Sequence, residues 1–198
     1  MRVLLFSGGI DSTALAHWTR PDVLLTIDYG QRTAGGEIRA ATHIASLLGL
    51  QHEVVRVDCS ALGLGHMAGL PPSPLGAAPE WWPYRNQLLI TVAGMKFAPH
   101  GLSEIVIGTV ASDVVHADGR PGFLKAIGAL MSFQEGGVRV TAPASQLQSE
   151  ELVRLSGVSM SVLAWTFSCH VSVHACGQCR GCQKHLITLE ALGALERD

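Results

Sequence analysis

The chain opens on a short apolar run, residues 2–6, that meets Ser7-Gly8-Gly9-Ile10-Asp11-Ser12-Thr13 and continues as Ala14-Leu15-Ala16-His17-Trp18. A strand entering a helix through a glycine turn constrains the fold more than any other stretch. The glycines let backbone N–H groups approach an anion, and the helix N-terminus adds a partial positive charge. Ser12 and Thr13 add hydroxyl donors, and Asp11 can orient a metal ion or a water. No lysine follows the glycines, so this is not the GxxxxGK(S/T) loop, and the spacing is not that of a GxGxxG dinucleotide turn.

Downstream, short apolar or β-branched runs alternate with helical patterns. Strands are expected over residues 2–6, 23–28, 53–58, 105–109 and 138–141, and helices over 11–18, 37–48, 87–97 and 123–133. Ile38, Ala41, Ile44, Ala45 and Leu48 share one helical face, and Gly49 suits that helix's end. Such alternation predicts a parallel sheet covered by helices on both faces, with ligands bound beyond the carboxyl ends of its strands. Residues 63–83 break the pattern, being rich in glycine and proline with little periodicity. They read as a long loop, a lid or a disordered stretch. Its Trp81 and Trp82 either anchor the loop to the core or stack on a flat heterocycle.

Hydrophobic residues make up 47% of the 198 and charged residues 15%, enough for a buried core and too few charges for a disordered chain. No apolar run reaches the ~20 residues that span a bilayer. No signal segment precedes the first strand, so a cytoplasmic location is the expectation. A net charge of -2 gives no basic footprint for nucleic acid.

Four of the five cysteines crowd together as Cys169, Cys176, Cys179 and Cys182. This spacing fits a structural zinc ion held by four thiolates, a closed site with no position open for catalysis. An iron–sulfur cluster is the rival and disulfides a third reading. His170, His174 and His185 stand nearby as surface or supporting residues, and Cys59 stands alone.

The SGGIDST turn resembles the signature of the PP-loop, or N-type, ATP pyrophosphatases, which split ATP between its α and β phosphates. Further segments extend the likeness. Asp28-Tyr29-Gly30-Gln31-Arg32 matches DYGQR, and Pro83-Tyr84-Arg85-Asn86 matches P-x-R-N. Residues 105–108 with Asp113 match IV-x-G and a downstream aspartate. Arg120-Pro121-Gly122-Phe123-Leu124-Lys125-Ala126 resembles R-x-E-F-x-K-A. Together with the SC…CGxCxxC cluster, these resemble the QueC family of 7-cyano-7-deazaguanine synthases across essentially the whole chain.

The resemblance implies a Rossmann-like fold of the HUP (adenine nucleotide alpha hydrolase-like) kind. It implies a PP-loop core over residues 1–145 and a helical segment with the zinc site over 146–198. ATP would meet Phe6, Ser7, Gly8, Gly9, Ile10, Asp11, Ser12, Thr13, Ala14, Leu15 and Ala16, with Mg²⁺. Asp11, Ser12, Arg85 and Asp113 would carry catalysis. Arg32, Arg85, Asn86, Asp113, Asp118 and Arg120 would bind the deazaguanine acid. Asp113 and Asp118 remain open between metal binding, the donor edge of the base and helix capping. A homodimer is implied as well.

Several positions depart from the family pattern. YPDCR reads His116-Ala117-Asp118-Gly119-Arg120, and the acid of R-x-E-F is Gly122. A late lysine is Ser149, which supplies no charge. These departures motivate a second expectation, a QueC-like antiviral defence enzyme of the type IV CBASS kind that joins a deazaguanine acid to a protein amine. A PP-loop tRNA-modifying enzyme and a non-catalytic nucleotide-binding subunit are lesser expectations.

Overall fold

The computed structural model describes residues 1–195. Five strands form one sheet: β1 (Arg2–Leu5), β2 (Val23–Asp28), β3 (Gln51–Arg56), β4 (Glu104–Val106) and β5 (Arg139–Thr141). Their order is β3-β2-β1-β4-β5 and every neighbouring pair is parallel. The expected Rossmann-like parallel sheet is therefore present. β1 is central, with Val3 opposite both Val23 and Ile105. The chain winds outward from β1 to β3, then returns to the other side for β4 and β5. The strand order reverses between β1 and β4, and a sheet of this type opens a crevice at that point.

Helices α1 (Ile10–Thr19), α2 (Ala34–Leu48), α3 (Arg85–Phe97) and α4 (Pro121–Phe133) follow the strands. Alternation of side chains along the strands divides the core into two layers. Leu4, Leu24 and Val106 pack with Leu15 of α1 and Ile44 of α2 on one face. Val3, Leu25 and Ile105 pack with Ile90 and Phe97 of α3 and Ile127 of α4 on the other. β2 is buried on both faces along almost its whole length, as a central parallel strand must be.

The C-terminal segment adds α5 (Ser149–Ser156), α6 (Met160–Leu163) and α7 (Arg180–Ala191). Leu152 and Val153 of α5 join the core layer that contains α1, and α7 packs against α5.

Residues 63–83 form a folded strap. Met67, Ala78, Glu80 and Trp82 are all buried. The Trp82 ring meets Tyr29 edge-on, with centroids 4.9 Å apart. Trp82 thus anchors the strap to the core. No helix among the described residues is long and apolar enough to cross a membrane.

Candidate active site

A cavity of about 680 Å³ opens beyond the carboxyl ends of β1 and β4, within the size range of small-molecule sites. Its floor is the turn after β1. Gly9, in extended conformation, is the N-cap of α1. Its N–H donates to Ser7 Oγ at 3.3 Å, and Ser12 Oγ donates back to the Gly9 carbonyl at 3.1 Å. Gly8 has φ +73, and a Cβ there would sit 2.7 Å from the Ala41 nitrogen of α2. Only glycine lets the turn press this closely against that helix.

Six of the eleven residues expected along this turn wall the cavity: Phe6, Ser7, Gly9, Ile10, Asp11 and Ser12. Gly8 is spent on packing. Thr13, Ala14, Leu15 and Ala16 are fully buried, because α1 is covered on more than one side, by the sheet and by α5. The side chains of these four residues do not line the cavity.

Two carboxylates and a lysine meet beside the turn. Lys184 Nζ lies 2.9 Å from Asp11 Oδ2 and 3.0 Å from Asp113 Oδ1. Burial opposes the ammonium, but the two carboxylates outweigh it and raise its pKa above the ordinary lysine value. Asp113 Oδ2 also accepts the Val110 N–H at 3.1 Å. Asp11 Oδ1 is buried and has no hydrogen-bond partner among the described residues.

Arg85, at the start of α3, reaches the same cavity. Its Nη1 lies 3.2 Å from Met67 Sδ. Among the described residues no carboxylate comes within 4.0 Å of its guanidinium. Burial opposes its charge, while its neighbours Tyr29, Asp118, Glu37 and Asp113 raise its pKa above the ordinary arginine value. Glu37 is fixed by Thr33 Oγ1 and by Gln31 Nε2 at 3.2 Å, and its burial pushes the carboxyl above the usual range despite those bonds.

Asp118 serves as a cap. Its Oδ2 accepts the Asn86 N–H at 3.2 Å, and its carbonyl accepts Asn86 Nδ2 at 3.0 Å, which ties the start of α3 to the residue 117–119 turn. Both residues line the cavity. Two expected substrate residues do not. Arg32 is exposed and lies against Gly69 of the strap. Arg120 is exposed, and its Nε donates to the Val114 carbonyl at 2.9 Å. The Arg120 guanidinium thus braces its own loop.

The opposite wall carries residues that sequence reasoning missed. Glu80 of the strap is 5% exposed. Its Oε1 lies 2.8 Å from Arg180 Nη1, 3.5 Å from His116 Nε2 and 3.8 Å from His170 Nδ1. Burial works against the Glu80 charge, yet His116, its own backbone N–H, His170 and Arg180 hold its carboxyl at about 2. Burial takes His170 down to about 4. The sequence signals for this wall were the HADGR departure, which supplies His116, and His170 beside the cysteines. Glu37, Arg180 and Lys184 carried no signal, because their meeting depends on elements far apart in the chain.

The depressed Glu80 value has a stability consequence. A carboxyl whose folded pKa lies below its unfolded one stabilises the fold above the ordinary glutamate value, and that contribution is lost as pH falls toward the folded value. Glu80→Gln is expected to melt below wild type at neutral pH, and the gap is expected to narrow between pH ~4 and ~2. Thermal unfolding of both proteins across that range checks it.

The cysteine segment closes this side. The Sγ atoms of Cys169, Cys176, Cys179 and Cys182 all lie within 4.8 Å of one another, with Cys176–Cys182 and Cys169–Cys179 at 3.9 Å. A tetrahedron with Zn–S bonds of about 2.3 Å has sulfur–sulfur edges of about 3.8 Å. The space between the sulfurs suits one ion and is too tight for a multi-iron cluster. The cysteines form no disulfides. Backbone N–H groups of Cys179, Cys182 and His170 point at Sγ atoms at 3.3 to 3.4 Å, the knuckle pattern that favours thiolates. A Cβ on Gly181 would collide with the Ser168 carbonyl, so the turn into α7 requires glycine. His185 bonds Ser168 Oγ at 3.1 Å and His174 is exposed, which leaves the four sulfurs as the donor set.

The fold and this donor set define a Rossmann-like α/β protein closed by a four-cysteine, zinc-type segment. Residues 1–193 match the family described as Queuosine biosynthesis protein QueC. The chain belongs to that family and is an enzyme. It is similar to the 7-cyano-7-deazaguanine synthase of Desulforudis audaxviator, 34% identical over 92% of this chain and 93% of that protein. It is also similar to the synthases of Nitratiruptor sp., 29% identical over 98% and 96%, and Anaeromyxobacter sp., 34% identical over 91% and 87%.

Proposed function

We propose that this protein is an ATP-dependent carbon–nitrogen ligase that adenylates 7-carboxy-7-deazaguanine and carries it to 7-cyano-7-deazaguanine. The observation that carries the reading is Arg85, a cavity guanidinium with no direct carboxylate partner among the described residues, facing the same space as the glycine turn. A planar substrate carboxylate is the natural bidentate partner for such a group.

In the first half-reaction the carboxylate oxygen attacks the α-phosphorus of ATP, and pyrophosphate leaves. The Gly9 turn, Ser7, Ser12 and the α1 N-terminus receive phosphate oxygens. Asp11 and Asp113 fit a divalent cation, since Asp11 Oδ1 is a buried oxygen without a partner. Magnesium held there would offset phosphate charge. Ammonia then displaces AMP to give the amide. A second ATP activates the amide oxygen, and loss of AMP leaves the nitrile. Zinc at Cys169, Cys176, Cys179 and Cys182 would be structural, fixing α7 over the cavity. A second copy of the chain would suit the exposed Leu130 and Phe133 of α4 and Met95 of α3, on helices that touch at Gly94 and Met131.

A second reading keeps the adenylation and changes the amine. His116, one of the altered HADGR residues, walls the cavity with Glu80 and Arg180, and this departure supports the reading. There the acceptor would be a protein amine, as in a QueC-like defence system. Mass spectrometry of the products, with ammonia and a neighbouring-gene protein both offered, separates the two. Free nitrile as the sole product supports the first reading, and a deazaguanine–protein amide supports the second.

A further inference from the structure

Among the described residues Lys184 alone places its nitrogen on two carboxylates at once. It lies on α7, two residues beyond Cys182, while its partners lie on the first turn of α1 and in the loop after β4. The side chain is 34% exposed, toward the cavity. Ser149 of α5 lines the same cavity, is buried, and has an unpartnered Oγ. It brings no charge, so α7, packed against α5, is the element that delivers a cation here.

Asp11 and Asp113 stand where a triphosphate would arrive, and two bare carboxylates would repel it. The ammonium relieves this only while the cavity holds no nucleotide. A divalent cation entering with the phosphates would compete for the same two carboxylates, and like charges about 3 Å apart exclude one another. The displaced ammonium then has the phosphate oxygens as its nearest anions.

We propose that Lys184 is a catalytic residue of the adenylation step. Its ammonium passes from Asp11 and Asp113 to the triphosphate when the nucleotide and its divalent cation bind, and it stabilises the departing pyrophosphate. The proposal rests on the adenylation reading above. A bond forms between the carboxylate oxygen and the α-phosphorus. The bond from that phosphorus to the bridging oxygen breaks, and pyrophosphate leaves with the electron pair. The ammonium keeps its protons and meets the charge that gathers on the bridging oxygen.

The test combines Mn²⁺ binding to the zinc-loaded protein without nucleotide, by electron paramagnetic resonance, with ATP binding and pyrophosphate exchange. Lys184→Met is expected to bind Mn²⁺ more tightly than wild type, bind ATP more weakly, and lose about 10²–10³-fold in exchange rate. Unchanged Mn²⁺ affinity, with exchange reduced only as far as folded protein is reduced, overturns the proposal and leaves Lys184 a tie between helices. Lys184→Arg covers the case in which the methionine variant folds poorly. Exchange within about tenfold of wild type supports a phosphate contact, and a deeper loss in a folded arginine variant overturns it. The Mn²⁺ and ATP arms use no deazaguanine. Failure of the adenylation reading would appear instead as absent exchange in wild type, with the Lys184 effects on Mn²⁺ and ATP intact.

Discussion

Arg85→Met is expected to lower deazaguanine-dependent pyrophosphate exchange by about 10²–10³-fold, with the KM for the acid raised and ATP affinity little changed. The guanidinium makes no direct ion pair among the described residues, so the fold loses little when it goes. Its neighbours Tyr29, Asp118, Glu37 and Asp113 raise its pKa above the ordinary arginine value despite burial. A cation kept ready in a cavity, without a direct carboxylate partner, contributes most when an anionic ligand arrives. Arg85→Lys should rescue only in part, because a point charge does not reproduce the planar two-donor fork. Steady-state exchange at varied acid and varied ATP measures both effects. An equal loss of affinity for ATP would move Arg85 to the phosphates.

If zinc fills the four-cysteine site as proposed, removing it is expected to have the largest effect of all. Structural zinc contributes on the order of 10–16 kcal/mol to small metal-organised segments. Cys182→Ser, or a chelator, should release one zinc per chain and abolish exchange, with zinc restoring the chelated wild type. The reason is mechanical. Cys179 caps α7, and α7 carries Lys184 to Asp11 and Arg180 to Glu80. Just before the cluster, the Phe167 N–H donates to the Gly8 carbonyl at 2.9 Å, so the metal segment also holds the glycine turn. Metal analysis alongside thermal unfolding checks this. Full exchange in zinc-free, folded protein would contradict it.

The sheet was legible because parallel central strands are continuous apolar runs, as in β2, and because glycines mark where strands enter or leave helices. The glycine turn located the cavity floor, and the cysteine spacing located the metal site. The motif lists Ala14, Leu15 and Ala16 in sequence, and the structure packs their side chains into the core layer that α1 shares with α5. Arg32 and Arg120 sit inside recognisable segments, yet Arg32 lies against Gly69 of the strap and Arg120 bonds the Val114 carbonyl, both outside the cavity lining. The strap over residues 63–83 lacks periodicity, since scattered anchors such as Met67 and Trp82 hold it in place of a repeating face. Glu80, Arg180 and Lys184 were illegible for a different reason. Their partners are 36, 100 and 71 or more residues away, and the Arg180 and Lys184 pairings bring the C-terminal segment back across the sheet.

The most direct measurement is ATP–pyrophosphate exchange by the zinc-loaded wild-type protein with 7-carboxy-7-deazaguanine, beside Asp11→Ala. Exchange is expected only when the deazaguanine acid is present, and it should vanish in the variant. Exchange that is indifferent to the acid, or no exchange from folded protein that binds both ATP and the acid, would contradict adenylation at this site.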